Sequence, residues 1–175
     1  MLEKMNLLGA MVALAIYIST ILVFVFRLLG KPRLEYRVGL FEILLAVPLL
    51  YLLLKAPPLH RPSIYYIQVG CMLAWLVVEA LLDYILKIDF RSVRWMVIVY
   101  VMLLFAGTGG MLGVAAQAGR GWTIPAIVLF LIMAVLALRE GERVADVGAG
   151  SGYFTLPVAT AVGPTGKVWA TDIRQ

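Results

Sequence analysis

Five long apolar runs, each closed off by charged residues, dominate the first 138 positions. Met5 to Phe26 carries no charge between Lys4 and Arg27. Val38 to Leu54 is interrupted only by Glu42, and Ser63 to Leu86 carries Glu79 and Asp83. Trp95 to Gln117 and Trp122 to Leu138 are uncharged. A membrane-spanning helix needs roughly 17 to 25 apolar residues at about 1.5 Å rise each. All five runs meet that length, the second and fifth at its lower limit. They do not alternate as the strands of a lipid-facing barrel would, and hydrocarbon offers no partner to an unpaired backbone group, so the pattern predicts five helices. Pro48 predicts a kink in the second. Pro125 falls in the opening turn of the fifth, where a missing donor costs little. The first run is too long for a signal-peptide core and has no small-residue cleavage pattern, so it is read as a retained helix.

The pattern changes at Arg139. Val144 to Val147 predicts a short buried strand entering a turn with Gly148, Gly150 and Gly152. A helix is expected from about Tyr153 to Ala161, then a turn over Gly163 to Gly166, then a second strand from Lys167 to Thr171 ending at Asp172. This is a β-α-β unit. Glycines let the backbone turn sharply and approach a ligand with no Cβ in the way. The start of the following helix offers free N–H groups. A carboxylate at the tip of the second strand can accept both hydroxyls of a ribose. Nucleoside-containing cofactors need that arrangement.

Composition narrows the class. Of 175 residues 63% are hydrophobic and 14% charged, against about 25% charged in an ordinary soluble domain. Mean hydropathy is +0.97. These values exclude a soluble single domain, a disordered chain and a disulfide scaffold, and Cys71, the one cysteine, forms no internal bridge. The fold class expected is an α-helical integral membrane protein, in the plasma or inner membrane, with a partial α/β domain at its end. The domains are 1–138 and 139–175.

Net charge is +5, which in such a chain signals topology and not nucleic-acid binding. With the N-terminus outside, the cytoplasmic loops hold Arg27, Lys31, Arg33, Arg37, Lys87, Arg91, Arg94, Arg139 and Arg143. The outer side then holds Lys4, Lys55, Arg61 and Arg120. The excess favours N-terminus out and the tail in the cytoplasm.

Polar groups inside the runs attract two explanations. Glu79 and Asp83 lie four apart on one helix face, with Lys87 continuing the stripe. They form either a proton, cation or polar-substrate site, or an Asp83–Lys87 pair with Glu79 bonded to a neighbouring helix; the second is the plainer one. Glu42 is expected to snorkel or pair near Arg37. Gly109-x-x-x-Gly113 allows close helix approach, within the bundle or in a homo-oligomer. Tyr65, Tyr66, Trp95 and Trp122 fit interfacial positions. His60 has no ligand partners, and no metal site is assigned.

The glycine pattern, preceded by Asp146, is not the dinucleotide Gly-x-Gly-x-x-Gly. It resembles the first motif of class I S-adenosylmethionine-dependent methyltransferases, an acidic residue followed by Gly-x-Gly-x-Gly. The stretch from Leu138 to Ile173, with Thr155, the Gly-Pro-Thr-Gly-Lys-Val turn and Asp172, looks especially like the small-molecule and quinone-type members. The resemblance implies S-adenosyl-L-methionine as cofactor, and a Rossmann-like fold. It implies that Gly148, Gly150 and Gly152 line the cofactor, that Asp146 supports the loop and approaches the methionine amino group, and that Asp172 holds the ribose hydroxyls. The catalytic residue stays unknown.

The family fold is a sheet of seven strands, so the resemblance implies a fragment with an incomplete catalytic domain. A tail this short cannot bury enough surface to fold alone. The function expected is a membrane-anchored methyltransferase transferring a methyl group by proximity and orientation. The alternative is a non-enzymatic small polytopic membrane protein, with a structural, partner-binding or transport role, carrying a fused methyltransferase remnant. Residues 139–143 reach under about 18 Å even when extended, so the expected acceptor is membrane-resident, such as a lipid or quinone, and not a nucleic acid.

Overall fold

The computed structural model describes residues 1–87, 93–137, 143–147, 149–164 and 166–172. The apolar runs form helices: α1 (Leu2–Leu28), α2 (Pro32–Leu44), α3 (Ala46–Leu54), α4 (Ser63–Glu79), α5 (Arg94–Ala116) and α6 (Arg120–Leu136). They are followed by β1 (Arg143–Val147), α7 (Thr155–Val162) and β2 (Lys167–Thr171). By length and composition four segments could cross a membrane: Leu2–Leu28, Pro32–Leu54, Ser63–Ile85 and Trp95–Ala116. α6 is shorter, at 17 residues. The chain divides into two compact units, Met1–Phe130 and Leu131–Gln175, with the division inside α6.

In the first unit, proline chemistry shapes the second run. α2 ends and α3 begins around Leu45, three residues before Pro48. Pro48 has no N–H for the Leu44 carbonyl and its ring crowds that oxygen, so the helix breaks there. Pro125 sits deeper than expected. α6 starts at Arg120, two residues before the anticipated Trp122, which moves the proline out of the opening turn and into the helix interior. The third run changes pitch: after Glu79 the chain continues as a π-helix, Ala80–Ile85, closed by the Leu86 N–H donating to the Leu81 carbonyl at 2.8 Å. Lys87 follows with φ +51°, so it does not extend the helical stripe of Glu79 and Asp83.

The core is built where α1, α3, α4 and α5 face one another. Ala10, Ala13, Ile16 and Tyr17 of α1 are buried, with Leu49 and Leu52 of α3, Met72 and Leu76 of α4, and Met111 and Val114 of α5. The Tyr17 hydroxyl donates to the Thr108 carbonyl at 2.6 Å, which satisfies a buried phenol. α4 and α5 approach until backbone meets backbone. A Cβ on Gly107 would lie 3.0 Å from the Met72 Cα, and one on Gly110 3.0 Å from the Gln68 Cα. Gly113 accommodates the Gln68 amide. Gly109 has nothing within 4 Å of its Cβ position. The close contact therefore follows Gly107, Gly110 and Gly113, not the anticipated Gly109-x-x-x-Gly113 pair.

Two further expectations change. Glu42 does not snorkel: it is buried, and accepts a hydrogen bond from the Thr20 hydroxyl of α1. Tyr65 is buried too, with the Arg61 guanidinium 4.7 Å above its ring. Arg61 itself donates to Gln117 and Asn6, while the Asn6 amide donates to the Gln117 carbonyl at 2.9 Å. This polar clasp joins the start of α1, the loop after α3 and the end of α5. Glu79 accepts a hydrogen bond from Tyr100 of the neighbouring α5.

The glycine contact generates a prediction. Gly110→Leu forces α4 and α5 apart and lowers stability by about 1–3 kcal/mol, whereas Gly109→Leu leaves it within about 0.5 kcal/mol. Thermal unfolding of the detergent-solubilised chain, followed by circular dichroism, reads both. Equal melting of the two variants would refute the assignment.

Candidate functional site

The second unit holds the candidate site at one end of a two-stranded sheet. β1 and β2 run parallel in the register Arg143↔Lys167 through Val147↔Thr171, with α7 as the crossover. Expected and observed elements agree closely: β1 gains Arg143, β2 is unchanged, and α7 starts at Thr155 where Tyr153 was expected. Tyr153 and Phe154 belong to the turn leading into it. Gly163 at φ +65° ends the helix, as a glycine commonly does.

Parallel pairing brings the carboxyl ends of both strands together, and the expected site residues gather there. Asp146 lies within β1, opposite Ala170. The turn after β1 carries Gly150 at φ +52° and Gly152 at φ +78°, values at which a side chain would cost about 1–2 kcal/mol. Asp172 follows β2 immediately and is exposed. Gly148 lies outside the described residues.

Two contacts hold this end in place. The Ala149 N–H donates to the Thr171 carbonyl at 2.9 Å, so the pairing of the strands runs on into the glycine turn. The Thr155 hydroxyl donates to the Asp146 carboxylate at 2.6 Å, tying the first residue of α7 to β1. Thr155 stands out in the sequence as part of the motif, but its role as the partner of Asp146 needs the crossover geometry. Ala149 gives no sequence signal, because its contribution is a backbone N–H. Among the described residues no group of His, Cys, Asp and Glu could hold a metal ion.

The arrangement suits a nucleoside-containing ligand. Two positive-φ glycines leave backbone uncovered beside β1, and an acidic side chain stands at the tip of the adjacent strand, about one strand spacing of 4.8 Å away. Ligands of parallel α/β sheets bind at this carboxyl end. An exposed carboxylate there can accept two vicinal hydroxyls, and Asp146, braced by Thr155, presents a second negative group close to the turn.

Comparison with known proteins points the same way. The family described as protein-L-isoaspartate(D-aspartate) O-methyltransferase matches residues 112–174, which takes in α6 as well as the β-α-β unit. A tRNA (adenine(57)-N(1)/adenine(58)-N(1))-methyltransferase of Methanocaldococcus jannaschii is 51% identical over 43 residues, 25% of this chain and 15% of that protein. A ubiquinone/menaquinone biosynthesis C-methyltransferase of Burkholderia mallei is 50% identical over 38 residues, 22% of this chain and 16% of that protein. The chain thus spans about one sixth of the curated relatives it matches. No solved structure matches it.

These relatives are named for transfer to oxygen, nitrogen and carbon of different acceptors, so what they share over this stretch is the cofactor and not the acceptor. The stretch from Leu138 to Ile173 is thus a segment of the S-adenosylmethionine-dependent methyltransferase type, similar to the cofactor-binding part of these relatives.

Proposed function

We propose that the protein is a membrane-anchored S-adenosylmethionine-dependent methyltransferase, with residues 139–175 forming the first part of its catalytic domain. The observation that carries the proposal is the meeting of the Gly150–Gly152 turn and Asp172 at one end of two parallel strands in register. Asp172 holds the ribose hydroxyls. The glycine turn lies against the cofactor, and Asp146, positioned by Thr155, faces the methionine amino group. When bound, S-adenosylmethionine supplies an electrophilic methyl group. The chain's part is to bind and orient, which lowers the barrier by holding the reactants in a near-attack geometry.

Four long apolar helices support the anchor. So do the many exposed large apolar side chains, Leu40, Leu44, Val47 and Leu54 among them. In the proposed topology the N-terminus is outside and the tail cytoplasmic, following the basic residues of the loops. α6 is the fifth crossing. The short tether of residues 139–143 supports a membrane-resident acceptor, a lipid or quinone.

A second reading, a polytopic membrane protein that works without methyl transfer, is favoured by the polar interior of the bundle, where Glu42 meets Thr20 and Glu79 meets Tyr100. A chain ending at Leu138 that inserts stably and restores a strain lacking the gene would support it over the first.

Three measurements test the leading reading. A reporter fused after Gln175 is expected to read cytoplasmic and one in the Lys55–Pro62 loop external; the opposite pair would overturn the topology. In the complete protein, Asp172→Ala is expected to weaken S-adenosylmethionine binding by about 1.5–3 kcal/mol and Thr155→Val by about 1 kcal/mol, by calorimetry. Absence of binding by the unaltered protein would remove the enzyme reading. Methylation of a lipid extract is expected to depend on the helices. Equal turnover of a water-soluble acceptor by a version lacking residues 1–121 would exclude the membrane-resident acceptor.

A further inference from the structure

The end of α1, the turn after it and the start of α2 carry Arg27, Lys31, Arg33 and Arg37, and their charges are not equivalent. Arg27 is neutralised by Glu35 at 2.7 Å. Among the described residues, Arg33 and Arg37 have no carboxylate partner. Both are exposed, and together with Pro32 and Tyr36 they line an open cleft of about 310 Å³. Two guanidinium groups one helical turn apart face the same side. Uncompensated, they make the cleft a site for an anion carrying several acceptor oxygens, because the planar guanidinium fork matches phosphate geometry.

One wall of the cleft is held by a neighbouring element. Its aromatic wall, Tyr36, packs against Tyr84 of the π-helix, with ring centroids 4.9 Å apart and the planes tilted by 37°. The Tyr84 hydroxyl donates to the Tyr36 carbonyl at 3.2 Å. Gly39 makes this possible: a Cβ there would lie 2.1 Å from the Tyr84 oxygen. The change to π pitch thus supplies the residue that fixes one wall.

What lies beyond the arginines decides the kind of anion. Counting on from Arg33 and Arg37 by steps of three and four gives Leu40 and Leu44 on the same face of α2, and Val47 and Leu54 follow on α3 beyond the break at Leu45. Each is exposed: Leu40 by 45%, Leu44 by 59%, Val47 by 68% and Leu54 by 68%. The exposed face of α2 is therefore cationic near its start and apolar near its end. A soluble phosphate or a nucleic acid uses only the first part. A phospholipid uses both, with its headgroup at the arginines and an acyl chain along the leucines.

We propose that the cleft of Arg33, Tyr36 and Arg37 binds the headgroup of an anionic phospholipid whose acyl chain lies along Leu40 and Leu44 of the same helix face. The proposal rests on the reading of the bundle as membrane-embedded. Basic clusters at the cytoplasmic ends of spans attract anionic lipid in this way.

The test uses the full chain purified in neutral detergent and titrated with phosphatidylglycerol or phosphatidylcholine under native mass spectrometry. Phosphatidylglycerol is expected to be retained on the order of tenfold better, and that preference is expected to vanish in R33Q/R37Q while K4Q/R120Q keeps it. Because the arginines are exposed, the double variant is expected to keep the melting temperature of the parent. Should it melt lower, the salt dependence of the unaltered chain decides, the preference falling between about 0.05 and about 0.5 M NaCl. Equal retention of both lipids, a preference surviving R33Q/R37Q, or one indifferent to salt would each overturn the proposal. Displacement of the lipid by inorganic phosphate alone would overturn it in favour of a free-phosphate site. Alkaline carbonate extraction tests the underlying reading separately. A chain that stays with membranes but shows no lipid preference defeats the headgroup site alone, and a chain released by carbonate defeats both.

Discussion

The approach of α4 to α5 is the contact on which the first unit depends. Helices come within backbone contact only where side chains are missing, and Gly107 and Gly110 remove them opposite Met72 and Gln68. Among uniformly apolar helices burial has little direction, so shape and a few polar bonds must select the arrangement. Once α4 and α5 are seated, α1 has a fixed surface to dock on. Gly9 meets Val114 of α5, and the Tyr17 hydroxyl finds the Thr108 carbonyl. The Arg61 clasp then ties Asn6 to Gln117 where α1 begins and α5 ends.

Polar side chains within the apolar segments serve the same selection. A buried carboxylate without partners is expensive, so Glu42 fixes α2 against Thr20 of α1, and Glu79 fixes α4 against Tyr100 of α5. Each bond also restricts the rotation of its helix. The break at Leu45 and the π-helix at Ala80–Ile85 are the backbone irregularities that go with this packing, and both lie close in sequence to a carboxylate.

The second unit follows a different logic. Its two strands gain definition from parallel register, and from two bonds at their carboxyl ends, Ala149 to Thr171 and Thr155 to Asp146. The positive-φ glycines set the path of the chain between them. Those features lie in the stretch that is similar to methyltransferases named for different acceptors.

Much of this was legible in the sequence. Long apolar runs predicted the helices, and the glycine spacing with Asp146 and Asp172 predicted a turn and a carboxylate at the ends of two strands, because each is encoded by residues close in the chain. Pro48 announced the break between α2 and α3. Tertiary structure decided what periodicity cannot carry: which glycines meet a neighbour, that Glu42 and Tyr65 turn inward, that the third run changes pitch, and that Ala149 contributes its N–H. It also divided α6 between the two units, where the sequence showed one apolar run and the family match extends across it. The reason is physical. Chain-local patterns fix the secondary structure and the turn chemistry, but in a helix apolar on every side the inward face is set by its neighbours alone.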